Sequence, residues 1–140
     1  MIRLILAVAA SAIAAMAVAQ DRMAAPAGAE VYFISPSDGA TVHGPVTVRF
    51  GLKGMGVAPA GVKFDNTGHH HLLVDTDLGE LKLDAPLPAT EKILHFGKGQ
   101  TETTLNLAPG KHTLELVFAD FTHMSFNPPL HSQKITITVD

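Results

Sequence analysis

The sequence predicts an all-β fold, an immunoglobulin-like antiparallel β-sandwich of about seven strands. Three observations point there. From Glu30 onward apolar residues recur with period two, so each segment has one apolar and one polar face. No segment shows an apolar stripe at helical spacing. The nine prolines and twelve glycines fit turns between such segments better than helix interiors.

The N-terminus stands apart from this pattern. MIRLILAVAASAIAAMAVAQ opens with one cation, Arg3, runs apolar from Leu4 to about Met16, and ends its small-x-small site at Ala17-Val18-Ala19. Residues 1–19 therefore read as a secretory signal peptide cut after Ala19. The apolar run is short for a membrane anchor and no stop-transfer pattern follows it. The expectation is a periplasmic or secreted protein with no membrane span after cleavage. Residues 20–29, QDRMAAPAGA, are small and polar and read as a flexible N-terminal segment. Residues 30–140 form the sandwich domain.

Within that domain Val31 and Phe33 alternate first, then Val46, Val48 and Phe50, with the turn-rich SPSDGATVHGP between them. GLKGMGVAPAGVKFDNTG (51–68) is glycine-rich and non-periodic, a surface loop. GHHHLLVD (68–75) is the next strand, with Leu72 and Val74 opposite Leu73. ILHF (93–96) and TETTLNL (101–107) follow. KHTLELVFAD (111–120) then puts His112, Leu114, Leu116 and Phe118 on one face. FTHMSFNPPLHSQ (121–133) lacks alternation and reads as a loop stiffened by Pro128-Pro129 and pinned by Phe121 and Phe126. KITITV (134–139) closes the fold with Ile135, Ile137 and Val139 facing inward.

Composition narrows function by exclusion. A net charge of −3 removes the electrostatic case for nucleic acid. Zero cysteines exclude a disulfide framework, a thiolate metal site and a cysteine nucleophile. There is no serine in a nucleophile elbow and no phosphate-cradling glycine loop. With no convincing nucleophile or acid–base pair the chain does not read as an ordinary hydrolase; an enzyme built on a metal-activated water is a third reading, and no organic cofactor is implied. Asp75-Thr76-Asp77-Leu78-Gly79-Glu80 supplies too few oxygen ligands for calcium and reads as a solvated turn. Asp75 has a second reading, as an acceptor for a metal-site histidine ring. Gln100 and Glu102 belong to a hairpin turn or flank His95.

The eight histidines carry the chemistry. His69, His70 and His71 are consecutive on a strand, so His69 and His71 share one face and His70 takes the other. Two imidazoles about 6.5 Å apart at Cα can grip one borderline ion such as Cu²⁺ or Zn²⁺. Further ligands have to come from elsewhere, and His95, His123 with its neighbour Met124, and His131 are the candidates. The bland reading stands beside this one: His70 as a buried histidine bonded to a carbonyl, His69 and His71 as surface imidazoles, His112 as packing, His43 as a turn residue. The two readings correspond to a metal-binding protein and to a non-catalytic cell-envelope interaction module with a protein partner.

GHHHLLVD, HFGKGQTETTLNLAPGKHTLELVFAD and the stretch from His123 to Pro129 resemble the bacterial family numbered 4399 among the domains of unknown function. The resemblance covers roughly residues 30–140. It implies an exported β-sandwich and brings no activity with it. Where the family loop often carries histidine and aspartate before Pro-Pro, this chain has Ser125-Phe126-Asn127.

Overall fold

A computed structural model describes residues 21–140, so the signal peptide expected at 1–19 lies outside the described residues. Ten strands follow one another: β1 (Glu30–Ser35), β2 (Thr41–Val42), β3 (Val46–Lys53), β4 (Gly56–Val57), β5 (Thr67–Val74), β6 (Ile93–His95), β7 (Glu102–Leu105), β8 (Gly110–Ala119), β9 (Ser125–His131) and β10 (Ile135–Val139). One 3₁₀ turn, Leu78–Glu80, interrupts them. No described helix is long and apolar enough to cross a membrane.

The strands form two sheets. One has the order β1-β3-β7; the other runs β2-β10-β8-β5-β4, with β6 also on β5 and β9 also on β8. The pairings are antiparallel except β2 with β10 and β4 with β5. Val31, Val46, Val48, Phe50 and Leu105 from the first sheet meet Leu72, Leu114, Leu116, Phe118 and Ile137 from the second in one core. This is an immunoglobulin-like sandwich. Each fully buried Leu or Phe side chain there contributes roughly 1.5–3 kcal/mol.

The larger sheet is buried on both faces around β5 and β8. Its outer face carries Leu73, Ile93, Val117 and Ala119, and the connection between β5 and β6 covers it with Leu78, Leu81, Leu83 and Leu87. That second layer explains why β5 is buried on both faces from Gly68 to Val74.

Three differences from the sequence reading have local causes. Residues 125–131, expected as loop, are strand β9; prolines hide it because they lack N–H groups, which an edge strand tolerates. The segment 51–68 is partly strand, since β3 continues to Lys53 and β4 follows. The N-terminal segment has anchors of its own. Arg22 donates to the carbonyls of Ser125 and Phe126, and the Met23 carbonyl accepts from Asn127 N at 2.8 Å. Of the two phenylalanines expected to pin the loop, Phe126 joins the core. Phe121 is half-buried, with Lys63 Nζ 5.7 Å from its ring centre.

Candidate metal centre

Strand alternation aims His69 and His71 at the outer face of β5, opposite Ala119 and Val117 of β8. On the other side of β5, His71 pairs directly with His95 of β6. The turn between β8 and β9 brings His123 over the same patch, with its backbone in the left-handed region at φ 69°. The four rings converge. His69 lies 5.0 Å, centre to centre, from each of His71, His95 and His123. His71–His95 is 5.1 Å and His95–His123 is 4.8 Å, while His71–His123 opens to 6.3 Å.

These spacings have a chemical meaning. Imidazole nitrogens about 2.0–2.1 Å from a tetrahedral ion place neighbouring ring centres roughly 5 Å apart. His69, His95 and His123 each offer a ring nitrogen within 4.8 Å of the other two. His71 flanks that triad with its ring nitrogens outside it.

Burial makes the cluster conspicuous. His69 and His71 are 0% exposed, and neither nitrogen of either ring has a hydrogen-bond partner; Nε2 of His95 is likewise buried and unpaired. A buried polar group without a partner costs about 1–3 kcal/mol. Burial pushes His69 down to about 4, with His95 and His123 adding repulsion and Asp120 opposing it. It pushes His71 down to about 2, reinforced by the neighbouring histidines. His95 is lowered by burial and by His123. At neutral pH these rings are uncharged, which is the state that has a lone pair to donate.

The surrounding loops fix the cluster. Asp120 organises the His123 turn: its Oδ1 accepts from Thr122 N at 2.8 Å, Thr122 Oγ1 at 2.7 Å and Met124 N at 3.0 Å. Leu87 N donates to the His123 carbonyl at 2.9 Å, tying the outer layer to the turn. Ala60 N and Gly61 N bond to the carbonyls of Gly97 and Phe121 at 2.8 and 2.9 Å, so the loop after β4 closes another side. Gly97 sits against the His95 ring, where a Cβ would overlap Cε1 and Nε2.

The remaining histidines have other surroundings. His131, read from the sequence as a further ligand, stands apart: Val117 lies between it and His71 in the sheet register, about two strand spacings or 9–10 Å. Its Nδ1 bonds Glu115 Oε1 at 2.9 Å. His70 does not bond a carbonyl. It packs between Phe50 and Phe118 at 5.1 and 4.9 Å, and neither nitrogen has a hydrogen-bond partner. Asp75 does accept from a histidine ring, but from His112 at 2.7 Å, at the far end of β5 from the cluster. His43 pairs with Asp140 at the surface. Among the carboxylates suggested for calcium, Asp77 pairs with Lys134 and Glu80 Oε1 accepts from Asp77 N at 3.1 Å. Gln100 accepts from Lys98 N at 2.9 Å, and Glu102 lies 3.5 Å from Arg49.

Asp120 and Gly97 are the residues that sequence reasoning missed. The clue to Asp120 was available, because an aspartate ending a strand caps the backbone two and four residues on.

Comparison with known proteins adds identity at the level of family. No curated protein sequence matches the chain. One similar structure is an endo-β-1,4-mannanase from Thermotoga petrophila, 18% identical with a TM-score of 0.46 over 80% of this chain; the match spans only 20% of the mannanase. Another is a set of fibronectin(III)-like modules of CbhA from Clostridium thermocellum, 10% identical with a TM-score of 0.39 over 78% of this chain and 92% of that one. Both likenesses are loose, and the fold rests on its own sheet topology. The profile of the domain of unknown function DUF4399 matches residues 48–140. The chain belongs to the DUF4399 family.

Proposed function

We propose that this protein is an exported β-sandwich that binds one copper or zinc ion through His69, His95 and His123, with His71 as a flanking fourth ring. The observation that carries the reading is the set of buried ring nitrogens with no hydrogen-bond partner on rings spaced about as one ion requires. The donor set fits the metal. Neutral imidazoles suit copper and zinc, and no carboxylate joins the group of three among the described residues. Three ligands with a fourth ring at the margin make an open site, the kind that exchanges its ion or admits a small molecule.

Titration calorimetry with Zn²⁺ and Cu²⁺ tests the reading. One ion per chain is expected, with binding abolished in His69→Ala plus His123→Ala and unchanged in His131→Ala. Affinity that survives the double substitution places the ion elsewhere and defeats the proposal. Zinc at a hundredfold excess over its Kd also raises stability by about 2.7 kcal/mol.

Export is the second half of the proposal and rests on the Arg3, apolar and Ala17-Val18-Ala19 pattern. The N-terminal sequence of the protein recovered from periplasm or medium is expected to begin at Gln20. Recovery from the cytoplasm with Met1 retained overturns it.

A further inference from the structure

Two carboxylates are buried among the described residues, Glu115 and Asp120. Glu115 is bonded to His131, away from the cluster. Asp120 lies at the base of the turn that carries His123. Its backbone N donates to the Met124 carbonyl and its own carbonyl accepts from His123 N, both at 2.9 Å. Its Oδ1 holds the turn from inside through Thr122 and Met124. It does not belong to the group of converging ligand atoms. It nevertheless stands beside the cluster: Oδ1 bonds the backbone on either side of His123, and Asp120 directly follows Ala119, the register partner of His69.

An imidazole ligates as a neutral ring, so a set of three cancels none of an ion's charge. A charge taken into a dry interior is costly unless an opposite charge stands nearby. We propose that Asp120 is the counter-ion of the metal centre. It compensates the bound ion through space without ligating it, and thereby sets how strongly the site favours divalent over monovalent ions. This inference rests on the metal reading above.

The Coulomb interaction scales with the charge of the ion. Removing the charge of Asp120 therefore costs a divalent ion twice the free energy it costs a monovalent one, so the fold-loss for Zn²⁺ is the square of that for Cu⁺. Asp120→Asn is the informative variant, because an amide oxygen accepts the same three bonds while the charge is gone. Affinities of the purified protein for Zn²⁺ and Cu⁺ are measured by competition with chromophoric chelators. A loss of about tenfold for Cu⁺ and about a hundredfold for Zn²⁺ is expected. Asp120→Glu keeps the charge and is expected to keep the native ratio of the two affinities. Asp120→Ser serves as a second neutral replacement should the amide variant not fold. Equal losses for both ions mean that Asp120 acts only by holding the His123 turn, and they overturn the proposal, as does no loss at all. A native chain that binds neither ion defeats the metal reading itself, an outcome distinct from these.

Discussion

The β5–β8 strand pair carries histidines at both of its ends, and the two ends differ in one respect. At one end His112 has a partner for each ring nitrogen, Asp75 Oδ2 at 2.7 Å and the Ala108 carbonyl at 2.6 Å. Asp75 in turn accepts from Thr113 N at 2.9 Å, so the corner is a closed set of bonds. At the other end His69 and His71 are fully buried and have no partner at all. The electrostatic consequence is opposite: the Asp75 bond raises the affinity of His112 for its proton, while burial first and mutual repulsion second strip the protons from His69 and His71. The same side chain is a brace where the fold gives it an acceptor and an unpaired ring where the fold surrounds it with other imidazoles.

The largest expected effect separates the two ends by function. His69→Ala is expected to lower Zn²⁺ affinity more than about a hundredfold, beyond the range seen when only a supporting residue is lost. His112→Ala leaves affinity unchanged in the same titration. Equal losses from both variants would break the comparison.

Acidity comes next. Below about pH 6.5 the unfolded chain protonates its histidines, whereas folded His69 waits until about 4 and His71 until about 2. The unfolded state then binds more protons, and stability of the metal-free protein falls with pH by up to about 1.4 kcal/mol per unit for each such ring. His112 has the opposite sign. Its contribution is complete below about 6.5 and fades as pH rises through its raised pKa. Urea unfolding between about pH 4 and 9 reads both arms, and His112→Ala is expected to remove the alkaline decline while sparing the acid one.

Replacement by leucine sharpens the contrast in the metal-free protein. His71→Leu removes two unpaired buried nitrogens and is expected to stabilise by about 1–2 kcal/mol. His112→Leu removes the ring bonded to Asp75 Oδ2 and is expected to destabilise by about 1–3 kcal/mol. Denaturant midpoints of matching sign for the two variants would remove the distinction.

The smallest effect concerns the wall of the site. Gly97→Ala forces a Cβ into the His95 ring. Metal affinity is expected to drop about tenfold through the displaced ligand, at the low end of the cost of overpacking.

How much of this was legible follows from the range of each signal. Period two along GHHHLLVD put His69 and His71 on one face and His70 on the other, because alternation is a property of the strand itself. His95 is a neighbour through the register of β5 on β6, and His123 through a turn held by Asp120. Both contacts are tertiary, so sequence made them candidates, with His123 foremost, and could not rank His95 above His131. His131 belongs to Glu115, whose place on the adjoining strand no local pattern reveals. The Asp75–histidine contact was expected in kind and found with a different histidine. Strand β9 stayed hidden behind Pro128-Pro129 and its broken register on β8.

Anomalous X-ray diffraction from crystals of the zinc-loaded protein addresses the cluster most directly. A single peak is expected amid His69, His95 and His123, with nitrogen ligands at about 2.0–2.1 Å. Zinc found only at surface histidines such as His43 or His131, with the cluster nitrogens bonded instead to ordered water, would show that the buried rings are structural and not a metal centre.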